Sequence, residues 1–147
     1  MLLQTWNRAY YQYHGLPSNH YEEIEALLIA HEHWLASVRG RRIETLSSSD
    51  EAEINRIFTS FEGVLVPVGA AKALHLLAPR LLPLWDRAIA VAYGCQLGNA
   101  GTNGGRYVRF AKNAKDQTAR VGPLPSGTNV LKALDEYNYC RFTKGWM

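Results

Sequence analysis

Residues 63–94 read G-V-L-V-P-V-G-A-A-K-A-L-H-L-L-A-P-R-L-L-P-L-W-D-R-A-I-A-V-A-Y-G, and the way this stretch divides into elements decides the fold. The division expected is a Pro67-Val68-Gly69 turn, an apolar helix carrying Lys72 and His75, a proline-bounded bend, and a second helix beginning at Asp86. Ala70, Ala71 and Ala73 follow the turn, so small residues fill a helix start where a backbone must come close to something. Gly69 permits a positive φ, and the N–H groups of a first helical turn suit an anionic oxygen such as a phosphate. A tight helix–helix corner with alanines at a close crossing accounts for the same residues. Asp86 stands where a helix cap belongs. It is also the one acidic residue between Glu62 and Asp116, and it lies beside Trp85, a large aromatic able to line a pocket.

Outward from this stretch, helical periodicity dominates. Ile24, Leu27, Leu28, His31, Leu35 and Val38 recur at three- and four-residue intervals, predicting an amphipathic helix over 21–38, capped by Ser18 or Asn19 and ended by Gly40. Arg39, Arg41 and Arg42 follow where positive charge meets the negative end of a helix dipole. Ser48 and Glu51 have capping-box spacing, and Ile54, Ile57, Phe58 and Phe61 give a second helix over about 50–62, closed by Gly63. Helices are expected at about 86–95, with Ile89, Val91, Ala92 and Tyr93 inward, and at about 105–118. A last one, about 129–142, has Asp135 and Glu136 outward. Gly98–Gly105 lacks a Gly-Lys-Ser/Thr element and a preceding strand, so it reads as a mobile surface loop rather than a phosphate-binding loop. No segment alternates with period two between hairpin turns. The expected fold is therefore all-α, one compact helical domain over residues 1–147. Residues 1–17 carry Trp6, Tyr10, Tyr11, Tyr13 and His14, which suit either docking across the core or base stacking.

At 147 residues and 47% hydrophobic, the chain supports one domain with a real core. Its uninterrupted apolar runs fall below a bilayer span, and no basic leader with an apolar segment opens it, so a cytoplasmic monomer without membrane contact is expected. Cys95 and Cys140 read as reduced thiols, and His31 and His33 point to different sides of a helix, so no metal site is expected. Charge is uneven. Residues 1–62 hold five Lys/Arg against nine Asp/Glu and residues 63–147 hold eleven against four, within a net charge of +3. If either half faces a polyanion, it is the second.

Pro67-Val68-Gly69-Ala70-Ala71-Lys72-Ala73, the helix after it, and Trp85-Asp86-Arg87-Ala88-Ile89 together resemble the helix-hairpin-helix DNA glycosylase superfamily, which includes endonuclease III and the 8-oxoguanine glycosylases. The hairpin there reads roughly Leu-Pro-Gly-Val-Gly-x-Lys-x-Ala, with an Asp at the start of a later helix. This chain lacks the earlier glycine, and its spacing to the Asp is shorter. Ala71 occupies the place of the nucleophilic lysine, and Lys72 follows one residue later, about 100° further around a helix.

The resemblance implies base excision from DNA, double-stranded by preference. The N–H groups of Val68, Gly69, Ala70 and Ala71 would grip a phosphate, joined by Arg80, Arg87, Arg106, Arg109, Lys112 and Lys115. A nucleotide would rotate into a pocket formed by Trp85, Tyr93 and His75. Asp86 would stabilise positive charge on the sugar, with Lys72 as a second catalytic candidate; displacement of the lysine implies monofunctional hydrolysis. No cofactor is implied beyond a monovalent cation in the hairpin. From the residues alone, Lys72 also suits an exposed helix position and His75 a core histidine bonded to a carbonyl. A DNA- or protein-binding module without chemistry stays open as the alternative.

Overall fold

The computed structural model describes residues 8–147, apart from the side chains of Ala9, Tyr10 and His14. Trp6 and those two aromatic side chains of the leading segment therefore lie outside the described residues. Of the rest of that segment, Tyr11 docks through its hydroxyl, 2.9 Å from His20 Nε2, while Tyr13 is exposed.

Six α-helices and no strand occur among the described residues, as an all-α single domain requires. They are α1 (Arg8–His14), α2 (His20–Val38), α3 (Ser48–Leu77), α4 (Arg87–Ala92), α5 (Asn103–Arg120) and α6 (Val130–Asn138). A 3-10 turn, Ile43–Thr45, joins α2 to α3, and a π-helical turn, Tyr139–Lys144, continues α6. Asn19 precedes α2 as expected, but its side chain makes no capping bond. At α3 the capping box falls one residue earlier than its expected place: the Ser47 N–H donates to Asp50 Oδ2 at 2.9 Å. Asp50 also takes both arms of Arg41, at 2.7 and 2.9 Å, which hold its carboxyl down to about 2. Arg41 is thus committed to a salt bridge and not only to a helix dipole.

Helix α3 departs most from expectation. It runs through Gly63, and the break falls at Val66, whose φ of 56° and ψ of 169° are non-helical. Pro67 is the cause: its ring clashes with an α-helical preceding residue and pushes that residue to extended ψ, while its own fixed φ starts the next turn. Gly69 is helical and buried, as are Ala70 and Ala71, with Val68 half-buried. No separate hairpin forms. By length and composition α3 could cross a membrane, yet 56% of its most apolar window is packed inside the protein, as befits a broken core helix.

Helix α5 lies against α3 with no space between them at Gly104. A Cβ there would sit 2.8 Å from the Asn55 carbonyl oxygen and 2.6 Å from Thr59 Oγ1. At the centre, Phe58 stacks on Tyr107 at 4.4 Å, and Trp85 meets Tyr107 edge-on at 5.4 Å and Phe110 at 5.6 Å. Tyr107 is fully buried and donates its hydroxyl to the Pro83 carbonyl at 2.8 Å. This cluster fixes the 78–86 connector against α3 and α5. The glycine-rich segment is also tied rather than mobile. Asn103 Oδ1 accepts the Gly98 N–H at 2.7 Å, and its amide donates to buried Glu62 at 2.5 Å.

A β-branched residue in this backbone region carries strain of about 1–3 kcal/mol, and Val66 is 39% exposed, so it buries little that glycine would lose. Val66→Gly is expected to raise the thermal midpoint by about 2–4 °C. A lowered midpoint would show that Val66 is unstrained.

Candidate functional site

The second half of α3, the connector before α4, and α6 with its π turn enclose a cleft of about 540 Å³. Lys72, His75, Trp85, Asp86, Lys132, Asp135, Glu136 and Tyr139 are among the residues lining it. The break at Val66 sets the direction of the segment that carries Lys72 and His75. Asp86 follows from local chemistry: it caps α4, Oδ1 accepting the Ile89 N–H at 2.9 Å, while Oδ2 accepts the Thr143 hydroxyl at 2.5 Å. The C-terminal turn is thereby fastened to the cleft.

Burial decides the charges. Lys72 is half-buried, and desolvation pulls its ammonium below the ordinary lysine range, while the nearby Asp86 carboxylate opposes that fall. His75 Nδ1 donates to the Leu82 carbonyl at 2.8 Å, which assigns the hydrogen to Nδ1. Burial lowers the pKa of this imidazole, favouring the neutral form. Of the groups lining the cleft, Asp135 is the most perturbed. Its side chain is 5% exposed, and burial raises its carboxyl to about 8; the Leu84 N–H, 3.3 Å from Oδ1, opposes the rise and Glu136 adds to it. The 3.7 Å approach of His75 Nδ1 to Asp135 Oδ2 is therefore a contact between two neutral groups near pH 7 rather than an ion pair. Asp135 Oδ2 has no hydrogen-bond partner among the described residues, and neither does Trp85 Nε1.

The cleft unites Lys72, His75, Trp85 and Asp86 from the sequence reading and leaves the rest elsewhere. Trp85 contributes only an edge, being 1% exposed within the aromatic cluster. Tyr93 lines a different cavity and donates to Asn138 Oδ1 at 3.0 Å. Val68, Gly69, Ala70 and Ala71 form no solvent-facing turn, because they sit within α3 and three of the four are buried. Four expected phosphate ligands on α5 hold the fold together. Arg106 donates to the Gln96 carbonyl at 2.7 Å, Arg109 to Gly94 at 3.3 Å and Lys115 to Leu46 at 2.5 Å, while Lys112 pairs with Glu51 at 2.8 Å. Arg80 and Arg87 are exposed.

Asp135, expected to face outward, is the residue that sequence reasoning missed. The signal was present: Leu131, Leu134, Asp135 and Asn138 fall at helical spacing and all four are buried. On α4, Ile89 and Ala90 face inward, whereas Val91 and Ala92 are exposed. Comparison of the chain with protein-family models, curated proteins and solved structures returns no match.

Because Asp135 is protonated when folded and ionised when unfolded between its ordinary 3.8 and about 8, stability falls through that window as pH rises. Asp135→Asn keeps the acceptor for Leu84 and cannot ionise. Its thermal midpoint at pH 7.5 is expected to exceed that of the wild type by several degrees, with a flatter profile from pH 4 to 8. A lower midpoint with a parallel profile would contradict the buried neutral acid.

Proposed function

We propose that this cleft is the active site of a DNA N-glycosidase that hydrolyses the bond between the sugar and a damaged or modified base rotated out of the stack. One observation carries the reading: Lys72 and Asp86, supplied by different elements, line the same cleft. Its volume of about 540 Å³ lies within the range of small-molecule sites.

Chemistry assigns the roles. Breaking the glycosidic bond leaves positive charge on the sugar, and a carboxylate fixed beside C1′ stabilises that charge and orients the attacking water. Asp86 suits this role because its two hydrogen bonds hold it in place. Lys72 supplies positive charge for the phosphate flanking the extruded nucleotide. Lys132, 3.8 Å from Glu136, adds to it, and Lys144, 5.6 Å from the ring centre of the cleft aromatic Tyr139, extends it at the rim. With no exposed backbone N–H turn at residues 68–71, binding rests on few phosphate contacts and is weak without an extruded base.

Asp86→Asn retains a side chain able to cap α4, so the thermal midpoint should move little. Base release from duplexes bearing modified bases, read as alkali-labile abasic sites, should fall by about 100-fold or more, while duplex affinity is kept or raised. Equal release by the variant would remove the catalytic role. Duplex binding by the wild type with no abasic sites on any substrate would favour a binding module without chemistry. Borohydride should trap no covalent adduct at Lys72.

A further inference from the structure

Two carboxyls in the cleft have no task in the hydrolysis outlined above: Glu136, which is exposed and faces Lys132 at 3.8 Å, and Asp135. Asp135 faces inward on the buried stripe of α6, with 5% of its side chain exposed. Its Oδ1 is held only by the 3.3 Å bond from the Leu84 N–H, and its Oδ2 has no hydrogen-bond partner among the described residues. His75 approaches it to 3.7 Å from α3, Glu136 neighbours it on its own helix, and Tyr93 and Tyr107 feel its charge, while Lys72, Asp86, Lys132 and Tyr139 line the same cleft. A buried acid with one oxygen unpartnered among the described residues, placed in a cleft, is a feature that packing alone does not explain.

We propose that Asp135 is the general acid of the cleft, donating its proton to a ring nitrogen of the departing base, and that the substrates are nucleotides whose purine leaves as a neutral molecule. The inference rests on the N-glycosidase reading. As the C1′–N bond breaks, its electron pair passes to the base and the Asp135 proton neutralises the charge that would otherwise develop on the ring. Water adds to C1′, its proton passes to Asp86, and exchange with solvent returns Asp135 to the acid and Asp86 to the carboxylate. Neutral His75 beside Asp135 does not compete for the proton, because its Nδ1 already carries one towards Leu82. A base seated against Leu84 reaches the carboxyl by taking the place of the long Leu84 N–H bond. Near pH 7 the acid form is retained, since burial raises this carboxyl to about 8.

The test compares two leaving groups: hypoxanthine, which needs a proton to leave as a neutral base, and 7-methylguanine, which is cationic in the nucleotide and leaves neutral without one. Single-turnover release from duplexes bearing each is measured for the wild type, Asp135→Asn and Asp86→Asn. Asp135→Asn should release hypoxanthine about 100-fold more slowly and 7-methylguanine at close to the wild-type rate. Asp86→Asn should lose both. Wild-type release of hypoxanthine should decline above about pH 8 while that of 7-methylguanine does not, a readout independent of whether the variant folds. Equal slowing of both bases, no slowing of either, or matching pH profiles overturns the general acid and leaves the glycosidase reading intact. Release of neither base by the wild type, with Asp86→Asn indistinguishable from it, overturns that reading and the general acid with it.

Discussion

Pro67 cannot follow an α-helical residue without a clash, and the arrangement of the cleft depends on how the chain answers that constraint. The answer is one non-helical residue of positive φ, Val66, inside a helix that otherwise runs from Ser48 to Leu77. Before the break, Ile54, Ile57, Phe58 and Phe61 bury themselves in the main core. After it, the same helix carries Lys72 and His75 into the cleft that Asp86 and Asp135 share. Strain at a β-branched residue is thus set against burial of Leu65, Ala70, Ala71 and Leu74 on either side.

Much of the helical order was legible because apolar residues three and four apart report directly on which face is buried. Asp86 was legible too, since a carboxylate before Arg87-Ala88-Ile89 has one local use, and it caps the helix there. The turn at 67–69 was misplaced because glycine was given the role that proline holds: Gly69 can adopt positive φ but nothing forces it, whereas Pro67 excludes a helical ψ at Val66. Gly63 failed as a stop for the same reason. The α5 cations read as a surface for polyanions, yet Arg106, Arg109 and Lys115 each reach a backbone carbonyl of a neighbouring segment. Such contacts join residues distant in the chain, and no local spacing encodes them.

Asp135 illustrates the converse case. Charged residues are rarely buried unpaired, so an Asp beside a Glu reads as a solvated pair. Its place on the stripe with Leu131, Leu134 and Asn138 outweighs its polarity, and burial converts it to a neutral acid. The cleft therefore sets half-buried Lys72 and hydrogen-bonded Asp86 beside a carboxylic acid whose burial keeps it protonated near pH 7. Two carboxyls held in such different surroundings divide naturally into a charge stabiliser and a proton donor. Fastening of Asp86 to Thr143 makes the C-terminal turn part of the same unit.

The cleft chemistry turns on the protonation state of Asp135, which is directly observable. Carbon-13 NMR of the side-chain carboxyl, followed from pH 3 to 10 and assigned by comparison with Asp135→Asn, reports its ionisation. A buried neutral acid gives a resonance that stays at the protonated position through neutrality and shifts with a midpoint near 8. A midpoint near the ordinary 3.8 would mean an ionised carboxylate at neutral pH, and the division of labour between the two carboxyls would fail.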